Sequence, residues 1–157
     1  MYAARYEFAL FNGPSDPRDA KLSFRVIEHG CDFLYKCNVD YCVAYGPSRV
    51  PYLYSTKIVR GIPRPIIIYR TPENACGGDV WQDIPTLIER GYGDCKDLAC
   101  YLAAYRTVFD RIPCRPRVRR RWLNGGFALY HVVVENMTNG EIEDPSLLLG
   151  MPPALSA

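Results

Sequence analysis

Apolar residues cluster from Tyr6 to Phe11, and after the Asn12-Gly13-Pro14 and Asp16-Pro17 breakers Leu22, Phe24 and Val26 alternate with Lys21, Ser23 and Arg25. A period of two gathers one set of side chains on a single face, so these segments predict short strands. Tyr41, Val43 and Tyr45 repeat the alternation before Gly46-Pro47. The run Ile66-Ile67-Ile68-Tyr69 is short and β-branched, as a buried strand would be. Pro63 and Pro65 flank Arg64 and cannot serve a central strand, which makes that stretch an edge or an extended connector. Residues 1–70 therefore predict a β-rich half. Thr71 to Gly78, with Pro72, Asn74, Gly77 and Gly78, predicts irregular backbone.

The period then lengthens. Asp83 is placed to cap a short helix with Pro85 in its first turn, and Gly91 to end it. From Cys95, apolar residues recur at Leu98, Ala99, Leu102, Tyr105 and Phe109, the stripe of a helix buried along one side, with Asp94 as its N-cap and Pro113 beyond its end. Cys114 to Trp122 and Tyr130 to Glu135 predict strands, and Asn139-Gly140 a turn before a further strand, Glu141 to Asp144. The expected class is α+β. Residues 1–70 form a β-rich portion of the same domain, 71–150 a core in which a helix packs on an antiparallel sheet, and 151–157, with Pro152-Pro153, a loose tail.

Composition narrows the class further. The chain has 157 residues and a formal net charge of +2, with 48% apolar and 13% aromatic residues, so it builds one well-filled domain rather than a disordered chain. No apolar run approaches the roughly 20 residues a membrane-spanning helix needs, so no membrane partner is expected. Arg5 and Glu7 interrupt the first apolar stretch, which argues against a secretory signal and for cytoplasmic synthesis. The seven cysteines are an odd set containing no C-x-x-C pair. His29, Cys31, Cys37 and Cys42 lack the paired short spacings of a zinc site and read as structural; neither metal nor cofactor is expected. Seven Arg between Arg106 and Arg121 face only Asp110. That stripe reads as a solvated strand face before it reads as an anion or nucleic-acid site, the weakest of the partner readings.

One position is chemically loaded. In Gly91-Tyr92-Gly93-Asp94-Cys95 the thiol falls on the first turn of a buried helix, where unbonded N–H groups carry partial positive charge. A thiolate there is expected to be stabilised, and the same N–H groups to hold an oxyanion. A nucleophilic Cys needs a base. Besides His29 the chain offers only His131, at the start of a Val-rich strand, and Asp144 on the next strand supplies a carboxylate to orient it. The bland alternatives are a small helix residue, a satisfied strand histidine and a turn former before Pro145.

These residues, in this order, resemble the transglutaminase-like (papain-like) cysteine enzyme superfamily. The landmarks are Gly93-Asp94-Cys95, Arg111-Ile112-Pro113-Cys114-Arg115-Pro116, His131 to Glu135 and Asp144-Pro145-Ser146, spanning about Trp81 to Met151. Within it the chain looks most like small phage and prophage proteins with a Trp-x-x-Ile-Pro approach to Gly-x-Gly-Asp-Cys. The resemblance implies a Cys95-His131-Asp144 triad acting on an amide or peptide bond of a protein or peptide substrate, with water or an amine completing the reaction. The likeness to phage proteins motivates a second reading, a virion part of neck, tail or baseplate that docks on neighbouring virion proteins, with or without activity. The chain departs from the papain pattern in lacking a Gln close before the nucleophile, since position 89 is Glu; Gln82 and Trp81 are the remaining oxyanion candidates.

Strand geometry sets a condition on the triad. A two-residue Asn139-Gly140 turn would pair Thr138 with Glu141 and put Asp144 opposite Glu135, four residues and about 13 Å from His131. A longer loop, with Gly140 in the left-handed conformation, would bring Asp144 opposite or diagonal to His131. The longer loop is the expectation.

Overall fold

Ile27, Cys31, Leu34, Asn38 and Cys42 are buried and recur every three or four residues, which is the inner stripe of a helix. The computed structural model describes residues 7–9, 17–70, 78–122 and 128–153. In it α1 (Pro17–Tyr45) runs unbroken through the region where alternating strands are expected. The β-rich reading of residues 1–70 is thus corrected. Period-two alternation over five residues fits a strand, but over 29 residues the three-and-four spacing prevails, and two cysteines and an asparagine complete the stripe. Pro17 sits in the first turn, where its missing N–H costs nothing.

The strands of this half are short. β1 (Glu7–Ala9) pairs antiparallel with β5 (Gly78–Val80), β2 (Thr56–Val59) with β3 (Ile62–Pro65), and β4 (Ile68–Tyr69) runs parallel to β6 (Tyr92–Gly93). Most of the predicted irregular stretch 71–78 lies outside the described residues.

The expected second half is present. α2 (Ile84–Arg90) is capped by Asp83, whose carboxylate accepts from the Thr86 N–H at 3.1 Å, and ends at Gly91 with φ of 74°. α3 (Cys95–Val108) is the central element, buried from Lys96 through Ala104, with α1 along one side and β7 (Cys114–Trp122) and β8 (Ala128–Asn136) along the other. At roughly 1.5–3 kcal/mol per buried aliphatic or aromatic side chain, Leu98, Tyr101 and Leu102 make this helix the anchor of the core. β9 (Ile142–Glu143) pairs with β8, and α4 (Pro145–Leu148) follows. The tail starts later than expected: Met151 is buried and its N–H bonds the Ser146 carbonyl at 2.8 Å, while 154–157 lie outside the described residues. No helix among the described residues is long and apolar enough to cross a membrane.

Side-chain contacts lock α1 to this half. Asn38 Oδ1 accepts the Ile84 N–H at 3.0 Å, Tyr35 Oη donates to Thr107 Oγ1 at 3.2 Å, and Cys100 Sγ donates to the Cys31 carbonyl at 3.5 Å. Gly30 lies against the Trp81 ring, and a Cβ there would stand 2.5 Å from its Cη2. The six described cysteines are free thiols.

Candidate active site

Two caps in succession place Cys95. Gly91 turns the chain out of α2 into β6, where Gly93 passes so close to Leu87 that a Cβ would overlap its side chain and press on Asp97. Asp94 then caps α3: its Oδ1 accepts from Lys96 N at 3.1 Å and Asp97 N at 3.5 Å, while Asp97 Oδ2 accepts from Asp94 N at 3.3 Å, a capping box. Cys95 is the first helical residue, and its N–H bonds no described residue. A Gly93→Ala variant is therefore expected to lose about 1–3 kcal/mol in a denaturant titration and to slow alkylation of Cys95, because the buried Leu87 side chain and Asp97 must shift to make room.

The cap rests on a buried polar strut. Asp97 is fully buried and accepts from Gln82 N at 2.9 Å and Gln82 Nε2 at 3.0 Å, and Gln82 Oε1 accepts from Arg90 Nη1 at 3.3 Å. Burial first, then the Asp94 carboxylate, pushes the Asp97 carboxyl up; Lys96 and the Gln82 donors oppose the shift. Beside it Lys96 pairs with Asp94 and lies over the Trp81 ring, 5.4 Å from its centroid. The two oxyanion candidates thus have other work: Gln82 ties the α2 approach to the base of α3, and Trp81 packs between Lys96 and Gly30.

β8 supplies the imidazole. His131 is 1% exposed, and its Nε2 lies 2.7 Å from Asp144 Oδ2. The longer loop makes this contact: Glu135 pairs with Ile142 and Val134 with Glu143, Asn136 and Gly140 close the turn, and Gly140 takes φ of 75°. Continued by one residue, that register sets Asp144 opposite Val133 and diagonal to His131. Asp144 is not a strand residue as expected but the N-cap of α4, its Oδ1 accepting from Ser146 N at 3.1 Å and Leu147 N at 3.3 Å. One oxygen is held by the helix start and the other holds the ring. With Nε2–H donated to Asp144, the tautomer leaves Nδ1 as an acceptor.

The sulfur of Cys95 meets β8 at the Val132 N–H, one residue from His131. Its thiol, however, is pushed up, not down: burial dominates and the Asp94 carboxylate adds to it, while the Val132 N–H and the Lys96 ammonium pull the other way. The expectation of a resting thiolate is corrected. Desolvation at this half-buried position outweighs the helix terminus, whose first-turn N–H groups are largely spent on Asp94.

Tyr69 also belongs here, and the sequence reading missed it. Across the β4–β6 pair it stands opposite Gly93, and its N–H bonds the Leu149 carbonyl at 2.9 Å, so its backbone bridges the Cys95 approach and the end of α4. Its phenol is pushed up to about 12 by burial and then by Cys95, Asp94 and Asp144. Only its place in an apolar run was visible, and that run reads as core. At the other end of α3 a cleft of about 400 Å³ is lined by Arg106, Ile112, Cys114, Val134, Ile142 and Glu143 and touches none of these residues.

No protein-family model, curated protein or solved structure matches the chain.

Proposed function

We propose that the chain is a transglutaminase-like thiol hydrolase or acyltransferase acting on amide or peptide bonds. The observation that carries this reading is the 2.7 Å bond from His131 to a carboxylate fixed by its own helix, with Cys95 at the first position of a buried helix and its sulfur at the N–H of the next β8 residue, Val132. With burial pushing the Cys95 thiol up, general-base catalysis takes the place of a preformed ion pair in this reading. His131 Nδ1 takes the Cys95 proton as sulfur attacks the carbonyl carbon; Asp144 keeps the ring in that tautomer and balances the imidazolium. The uncommitted Cys95 N–H faces the developing oxyanion. Collapse breaks the C–N bond, His131 returns its proton to the leaving amine, and a thioester remains. Water or an incoming amine, deprotonated by His131, then releases the acyl group and restores the thiol.

Alkylation of Cys95 by iodoacetamide, followed by peptide mass spectrometry, tests the pair. At pH 7 the His131→Ala variant is expected to react about 100-fold more slowly than the wild type, and the two to converge as pH rises toward ionisation of the thiol itself. Equal rates at pH 7 would remove the base from the reading. Trapping an acyl-thioester on Cys95 with activated esters, and its partition between water and added amines, separates hydrolysis from transfer.

A further inference from the structure

Residues 56–65 form a hairpin whose every residue is exposed, including Ile58 at 69%, Ile62 at 53% and Val59 at 42%. Two-stranded hairpins with neither face covered are marginal in water, so β-branched side chains spread over both faces want a partner. The turn residues Arg60 and Gly61 have φ of 53° and 77°, a type I′ turn closing the Val59–Ile62 pair. Asn is the usual first residue of such a turn; here the position carries a guanidinium at the tip.

Hydrogen-bond alternation makes the two edges unequal. A two-residue loop is closed by a hydrogen-bonded pair, so Val59–Ile62 and Lys57–Arg64 exchange bonds while Ile58–Pro63 and Thr56–Pro65 point their backbone groups outward. On β3 those outward residues are prolines with no N–H to give, and that edge is closed. On β2 they are Thr56 and Ile58, and no backbone bond from another described residue reaches either.

Charge identifies what fits the open edge. Lys57 and Arg64 stand directly opposite one another, a like-charge pair that repels in the free hairpin. Neither these two nor Arg60 forms an ion pair with a described residue, and residues 41–72 contain five cations and no acid. Phosphate backbones would satisfy the cations but leave three aliphatic side chains and an open strand edge unused.

We propose that the β2–β3 hairpin docks an acidic extended segment of another protein, which adds as a third strand along β2. Its backbone bonds Thr56 and Ile58, its acidic side chains fall over Lys57 and Arg64, and its alternate apolar residues cover the opposite face. This inference is independent of the chemistry at Cys95.

The test is fluorescence anisotropy of the full chain with a labelled Glu-Val-Glu-Val-Glu-Val peptide at low salt, with amide shifts of residues 56–65 followed by NMR. Saturable binding is expected, weakened at least tenfold by N-methylating alternate peptide amides, by replacing Glu with Lys, and by Lys57→Glu with Arg64→Glu in the protein. The N-methylated and Lys-containing peptides leave the protein untouched, so a variant that misfolds does not decide the result. Absence of binding, binding indifferent to N-methylation, or shifts elsewhere in the chain would overturn the proposal. So would duplex DNA that displaces the peptide and binds the same hairpin more tightly.

Discussion

An Asp144→Ser variant is expected to lose about 100-fold or more in acyl transfer, at a stability cost limited to about 1–3 kcal/mol for the buried His131 Nε2–H left without its acceptor. The two effects separate because the carboxylate does two jobs with two oxygens. Serine serves as well as aspartate at an N-cap, so the Ser146 and Leu147 N–H groups keep an acceptor and α4 keeps its start. Its hydroxyl is too short to reach the imidazole as well, and nothing then fixes the tautomer that leaves Nδ1 bare. Asp144→Ala should lose the same activity and about 1 kcal/mol more stability than the serine variant, the ordinary worth of a cap. Urea midpoints and acyl-transfer rates on the same samples check both. If the serine variant retained wild-type turnover, the His131–Asp144 contact would be structural.

The second large effect is expected at Asp97, where Asp97→Ala should cost about 3 kcal/mol or more by denaturant titration. The change strands three donors, Gln82 N, Gln82 Nε2 and Asp94 N, in a site without water access, at about 1–3 kcal/mol each less whatever relaxation recovers. Its pH dependence has a definite sign. The folded carboxyl is raised above its unfolded value, so its contribution is fully present below the unfolded pKa of about 4 and declines as pH climbs through the folded value. The Asp97→Asn protein, with no proton to exchange there, should show a flatter stability profile between mildly acid and mildly alkaline pH. An unchanged slope would place the titrating group elsewhere.

Local chemistry was legible and long-range burial was not. Asp83, Gly91 and Asp94 act through bonds to residues two to four positions away and Pro85 through its fixed φ in the first turn, and those caps lie where the sequence puts them. The Asp144 contact was legible for a different reason: register arithmetic required a loop longer than two residues, and Gly140 could supply the positive φ. α1 was hidden because a short window of alternating residues satisfies a strand, while the stripe that defines the helix, Ile27, Cys31, Leu34, Asn38 and Cys42, runs through a polar residue and shows its spacing only over several turns. The direction of the Cys95 shift was hidden because burial by distant elements opposes the helix terminus, and only folding reveals which wins. Gln82 stood as a distant oxyanion candidate because the resemblance calls for a Gln before the nucleophile, and nothing near it in sequence announces its bond to Asp97.

The thiols also divide the molecule into a labelled outside and a protected inside. Among the described residues Cys37, on the outer side of α1, is the one exposed cysteine, and Cys95 is half-buried. Once Cys76 and the half-buried Cys95 are replaced by serine, a bulky maleimide dye should attach at Cys37 and leave the buried Cys31, Cys42, Cys100 and Cys114 unmodified. Its anisotropy decay would then report the tumbling of the longest helix, and hence whether α1 stays seated on α3 when the protein is warmed.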